Sequence, residues 1–103
     1  MPFEQLTPRP LTQGAVRLYA PTAAGVYGIS NAREWVYIGE SDNIQATLLE
    51  HLGDSFTPLM QRIPTGFVFE VCAGARRLDR QGRLVSEYDP ACNRSAARSP
   101  RRT

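Results

Sequence analysis

Gly25-Val26-Tyr27-Gly28-Ile29-Ser30-Asn31-Ala32-Arg33-Glu34-Trp35-Val36-Tyr37-Ile38-Gly39 is the stretch whose reading decides the fold. Two apolar runs, each with a Tyr close to a Gly, flank a polar centre at Ser30-Asn31. Val, Ile, Tyr and Trp favour a pleated, half-buried surface, and Ser-Asn supplies turn chemistry between them. The stretch therefore reads as a hairpin, with strands over 24–29 and 35–38. Pairing them brings the Tyr27 and Tyr37 phenols into one neighbourhood.

Downstream, Ile44, Leu48 and Leu52 recur every four residues, which predicts a helix from about Asp42 to Leu52. Ser41 or Asp42 caps its first turn, and Gly53 stands where a C-terminal cap belongs. Ser55 can cap a short second helix that is over by Pro64. Phe67, Phe69 and Val71 alternate with Val68, Glu70 and Cys72, a strand with two different faces. A third helix follows from about Ala75 to Tyr88, with Leu78, Gln81, Val85 and Tyr88 on one face, and Asp89-Pro90 ends it. The expected fold is α+β: a small three-stranded antiparallel or mixed sheet flanked by helices, in the order β-β-α-α-β-α.

Upstream, Pro2, Pro8, Pro10 and Pro21 argue for an extended lead-in over residues 1–22, with Ala15 to Tyr19 as a short edge strand. No apolar run has the length of a membrane-spanning helix, and the N-terminus lacks a basic-then-apolar signal pattern, so a cytoplasmic location is expected. Cys72 and Cys92 are too few for a disulfide framework, lack zinc-ligand spacing, and read as small packing residues. All twelve basic residues are Arg, and the net charge is +2. Four of them, Arg94, Arg98, Arg101 and Arg102, lie in the last ten residues, so the chain without that tail carries −2. With small residues, Pro100 and unopposed Arg, residues 94–103 read as a disordered tail.

The paired Gly-Val-Tyr and Tyr-Ile-Gly motifs, the helix order and a closing Pro90-Ala91-Cys92-Asn93 together resemble the GIY-YIG nuclease family. The resemblance covers residues 23–93. It implies a domain that acts on DNA phosphodiester bonds with Mg²⁺ or another divalent metal. Tyr27 and Tyr37 match the tyrosines that orient or deprotonate the attacking water. The family carries an Arg eight residues past the last Gly of the second motif, where this chain has Thr47. That Arg stabilises charge developing on the phosphoryl group, which a hydroxyl does not do. One turn on, His51 matches a His found in some restriction-enzyme members. The family's metal-holding Glu falls nine residues before the Pro of the closing element, and here that position is Gln81. A neutral amide is a poor sole ligand for a hard cation. Glu70 on the third strand is the candidate replacement carboxylate. Asn93 matches an Asn that closes the site, or serves as a simple turn residue.

Charge adds an independent argument. Between Glu34 and Asp54 there are five acids (Glu34, Glu40, Asp42, Glu50 and Asp54) and no Arg, which makes a poor phosphate track. Arg76, Arg80 and Arg83 fall at helical spacing on the third helix and form the candidate nucleic-acid stripe. The expectation is thus a GIY-YIG-type domain acting on DNA with weak or lost hydrolysis. The alternative is a non-catalytic nucleic-acid-binding or protein-interaction module on the same fold.

Overall fold

The computed structural model describes residues 3, 7–54 and 57–93. Its core is the expected hairpin, β2 (Gly25–Ser30) with β3 (Trp35–Ser41), paired antiparallel. Asn31 turns the chain between them: its Oδ1 accepts from the backbone N–H groups of Arg33 (2.8 Å) and Glu34 (2.9 Å). A register shift after Ile29 places Trp35 opposite Ser30 and Tyr37 opposite Ile29, so the alternation still puts Tyr27, Ile29, Tyr37 and Gly39 on one face. β4 (Gly66–Val71) pairs antiparallel with the other edge of β2. A two-residue strand, β1 (Arg9–Pro10), pairs with β4 and gives the sheet order β1-β4-β2-β3. The sheet is therefore four-stranded and entirely antiparallel, against the three strands expected. The added strand is too short for periodicity to reveal, and its Pro10 sits on an edge, where the missing N–H costs no ladder bond.

The lead-in departs from expectation in a second way. Residues expected as an edge strand form helix α1 (Gln13–Tyr19). Thr12 caps it, accepting from the Ala15 N–H at 3.1 Å, and Val16 and Ala20, four apart, are buried. The prolines that suggested an extended segment all lie outside these seven residues, so nothing breaks the turn. The C-terminal carbonyls of α1 are met by Gln45, whose Nε2 donates to Ala20 O (3.1 Å) and Arg17 O (3.3 Å). Gln45 belongs to α2 (Ile44–Gly53), which is capped by Asn43 Oδ1 on the Ala46 N–H rather than by Ser41 or Asp42. Ser41 Oγ instead accepts from the Asn43 N–H at 2.9 Å. A single turn, α3 (Pro58–Gln61), starts at Thr57. Ser55 and residues 94–103, where a cap and a disordered tail were expected, lie outside the described residues.

Helices α1, α2 and α3 cover the face carrying Tyr27, Ile29 and Phe67, with Val16, Ile44, Leu48 and Leu59 in the shared core. The other face, with Val26, Ile38 and Val68, is covered by α4 (Ala75–Tyr88) through Leu84, and by Phe3, which stacks on Trp35 and Tyr88 at 5.9 Å from each ring. The α4 boundaries are those read from the sequence, and Asp89 closes it in the left-handed conformation (φ 48°) with its N–H on Val85 O. The line facing the sheet differs at its start: Gln81, Val85 and Tyr88 face inward beside the fully buried Leu84, but Arg77 stands there in place of Leu78, which is 62% exposed. Arg77 takes the sheet-facing place because β3 supplies it with acidic partners. Cys72 and Cys92 pack against the two clusters as small side chains, both as free thiols. Among the described residues no helix is long and apolar enough to cross a membrane.

This stripe sets a stability test. Leu84→Ala should cost about 2–5 kcal/mol by chemical denaturation, and Leu78→Ala less than about 0.5 kcal/mol. Equal costs would mean that α4 is rotated from the position described.

Candidate active site

Tyr27 and Tyr37 sit on the same face of the hairpin as diagonal cross-strand neighbours, their ring centroids 6.1 Å apart. The residue directly across from Tyr27 is Gly39. A Cβ there would lie 2.5 Å from Tyr27 Oη and 2.7 Å from the Tyr37 ring. Only a glycine lets the two phenols share this space. α2 brings the third member: His51 Nε2 is 2.8 Å from Tyr27 Oη, and the imidazole lies 5.7 Å from the Tyr27 ring and 5.9 Å from that of Tyr37. The bond forms with the phenol donating to Nε2 or, in the other tautomer, accepting from it.

Burial sets the protonation of this trio. It pushes the Tyr27 phenol far above its ordinary range, with the charges of Tyr37, Glu40 and Glu50 adding to it. It raises Tyr37 as well, helped by Glu40 and Cys92. For His51, burial disfavours the imidazolium and lowers its pKa against the opposing pull of Glu50. Near neutral pH the cluster therefore presents two phenolic O–H groups and a neutral imidazole. Phenols held this firmly protonated orient an oxygen nucleophile by hydrogen bonding, and the imidazole is the group able to accept a proton.

The remaining sequence candidates are placed as follows. Asn93 is spent on the backbone of β3: its Oδ1 accepts from the Ile38 N–H (2.7 Å) and its Nδ2 donates to Ile38 O (2.9 Å). Gln81 reaches the same carbonyl from α4, Nε2 to Ile38 O at 3.2 Å. Both amides thus converge on the residue between Tyr37 and Gly39. Thr47 lies in the first turns of α2 with its hydroxyl 2.5 Å from Ser41 Oγ. Glu70 is not brought to the phenols. It points to the α4 face, where both its oxygens are held by Arg80, Nε at 2.7 Å and Nη2 at 2.9 Å, with only 15–16% of either side chain exposed. Of the expected nucleic-acid stripe, Arg80 is engaged in this pair, Arg83 bonds Asp79 at 3.1 Å, and Arg76 is exposed.

Two residues read from the sequence only as surface charge stand beside the site. Glu40, next to Gly39, is close enough to raise both phenols. Arg77 on α4 reaches it: Nε is 2.7 Å from Glu40 Oε1, and Nη1 bonds Asp42 Oδ1 (2.6 Å) and Ser41 O (3.1 Å). The only signal for this was that residue 77 lies one helical turn before Gln81.

The donor set does not suit a hard divalent cation. Among the described residues no three His, Cys, Asp or Glu side chains stand close enough to hold a metal ion, and Gln81 gives its amide nitrogen to the backbone.

With this geometry in view, the comparisons are clear on the fold. The GIY-YIG N-terminal endonuclease domain of UvrC from Thermotoga maritima, bound to its catalytic divalent cation magnesium, superposes with a TM-score of 0.59 at 26% identity, covering 73% of this chain and 91% of that one. Two point mutants of the same domain, Asn to Ala and Tyr to Phe, each bound to the divalent cation, give TM-scores of 0.61 and 0.60 at 22% and 21% identity, each covering 73% of this chain and 90% of theirs. No family model matches the chain, and no curated protein is significantly similar to it. The chain has an α+β antiparallel-sheet fold with helices on both faces. That fold is the GIY-YIG endonuclease-domain fold.

The buried imidazole gives a pH signature. An unfolded His titrates near about pH 6.5 and the folded one lower, so its contribution to stability is complete above about pH 6.5 and is lost as the pH falls through the folded value. Thermal unfolding of the protein should therefore show a steeper acid-side loss of Tm than His51→Gln, which keeps an acceptor for Tyr27 but does not titrate. Superimposable pH profiles would place His51 in water rather than against the phenols.

Proposed function

We propose that this domain engages nucleic acid beside the cluster of Tyr27, Tyr37 and His51, whose half-buried Tyr37 and His51 bound it toward solvent while Tyr27 is buried, and that its phosphodiester hydrolysis is weak or lost. The observation that carries this reading is the Tyr27 Oη to His51 Nε2 bond at 2.8 Å, with the Tyr37 ring edge-on to the imidazole, on a fold shared with an endonuclease domain bound to its catalytic divalent cation. The cluster supplies what orienting a water and accepting its proton require. Two other requirements of phosphoryl transfer are unmet at the expected positions. Thr47 offers a hydroxyl, already shared with Ser41, in place of a guanidinium. Gln81 offers a neutral amide in place of a carboxylate. Charge developing on the phosphoryl oxygens therefore lacks its usual stabilisation, and the loss of one such group alone is worth about two to three orders of magnitude in rate. Among the described residues the carboxylate, thiol and imidazole groups do not form a site for a catalytic metal ion.

The surface agrees with modest rather than strong nucleic-acid affinity. Two arginines of the α4 stripe are already ion-paired within the chain, so they neutralise acids before they meet phosphates.

The test is restoration. In Mg²⁺ or Mn²⁺ the wild-type protein should nick supercoiled plasmid at least about a hundredfold more slowly than the double variant Thr47→Arg, Gln81→Glu. Adding Tyr27→Phe to the double variant should abolish the gain. Vigorous metal-dependent cleavage by the wild type would refute the loss of activity, and an inert double variant would refute the assignment of the cleft.

A further inference from the structure

Thr47 leaves the first helix turn of α2 without a cation, yet a guanidinium stands in that groove. It comes from the other side of the sheet. A cavity of about 370 Å³ opens between the end of β3 and the start of α2, lined by Glu40, Ser41, Asn43, Thr47 and Arg77 among others. Arg77 enters it from α4, and its Nη1 donates to the carbonyl of Ser41, whose hydroxyl is the partner of Thr47. We propose that Arg77 is the phosphate-binding guanidinium of this domain, delivered from α4 to the groove that an arginine at position 47 would fill from α2. The proposal rests on the nucleic-acid reading above and names the group that would contact the backbone phosphate.

The bonding of the guanidinium supports this assignment edge by edge. Nε is buried and faces Glu40 Oε1 at 2.7 Å, a charge contact whose N–H is not aimed along the line between them. Glu40 is therefore a charge partner packed against the stem end of the guanidinium. Nη1 meets Asp42 Oδ1 and Ser41 O, and among the described residues nothing bonds Nη2. The Nη1–Nη2 edge is the fork that matches two phosphate oxygens. One group stands in the way. Asp42 is 91% exposed and makes a single contact, so holding it there gains little over leaving it in water. A phosphate that takes both nitrogens displaces Asp42 and leaves the Glu40 contact in place. Asp42 is thus a competitor on the same edge, and Glu40 a charge partner at the stem end. Arg80 and Arg83 do not offer this arrangement, since Arg80 is held on two nitrogens by one carboxylate and Arg83 pairs with Asp79 on the helix surface.

The experiment is fluorescence anisotropy of a fluorescein-labelled DNA duplex with a single-stranded flap, titrated with the full chain at low salt, with Tm recorded for every variant. Asp42→Asn, a change at an exposed side chain, should tighten binding about three- to fivefold by removing the competitor. Arg77→Gln should weaken it about tenfold or more and flatten its salt dependence. Adding Thr47→Arg to Arg77→Gln should return most of the affinity, because the guanidinium re-enters the same groove from α2. A merely structural Arg77 would let Asp42→Asn tighten binding equally in the Arg77→Gln background, through net charge alone, whereas a competitor on the Arg77 edge loses its effect there. If the wild type does not bind this DNA at all, the nucleic-acid reading fails and this proposal with it. If the wild type binds but Asp42→Asn has no effect or weakens binding, and Thr47→Arg rescues nothing, the proposal alone is overturned and Arg77 is a tie between α4 and β3.

Discussion

The close passage of the Tyr27 ring over the bare backbone of Gly39 is the constraint from which the rest of the site follows. β2 is an inner strand, and its Tyr27 would collide with any side chain placed directly across the pair. With that space open, the phenol lies flat enough to reach the end of α2, and the sheet is tied to the helix through an aromatic hydroxyl and an imidazole rather than through apolar contact alone. The same enclosure removes water from the trio. It holds the phenols protonated and the imidazole neutral, so the chemical character of the cluster is a consequence of packing.

Apart from Arg83 with Asp79 inside α4, the ion pairs among the described residues cross between elements distant in sequence. Glu34 is met by Arg62, Glu40 and Asp42 by Arg77, and Glu70 by Arg80. The run of acids between the hairpin turn and the end of α2 therefore does not present a bare negative face. Three of its five members are matched by arginines from α4 or from the loop after α3. Conversely, the basic face of α4 is less available than a count of its arginines implies. Net charge says little about such a surface, whereas the identity of each partner says a great deal.

How far the sequence could be read follows from the range of the interactions involved. The hairpin, the shared face of Tyr27 and Tyr37, and both ends of α4 were legible because they depend on period-two alternation, turn residues and caps, all local signals. α1 was misjudged as a strand because the surrounding prolines outweighed a four-residue apolar spacing inside seven residues. β1 was invisible, being two residues whose conformation is set entirely by pairing with β4. His51 was found by register alone, and the structure brings it to Tyr27. Arg77 was read only as basic surface, because apolar spacing selected Leu78 ahead of Gln81, Val85 and Tyr88, and Leu78 is exposed. Arg77 is held inward by an ion pair with β3, and no helical periodicity reports a partner on another element. Asn93 was singled out as a residue that closes the site or makes a turn, and its bonding to the Ile38 peptide could not be inferred from a motif.

That peptide carries one more consequence. β3 is the outermost strand, and an outer strand offers unsatisfied N–H and C=O groups to any extended chain that arrives. At Ile38 the carboxamide of Asn93 both gives and receives a hydrogen bond, with Gln81 adding a second donor, so the pair of groups a newcomer would need at the midpoint of the strand is already taken. The residues just past the last long helix thereby act as a lock on the sheet margin. They terminate the ladder within the monomer and guard a tyrosine-bearing strand against stacking with its own copies.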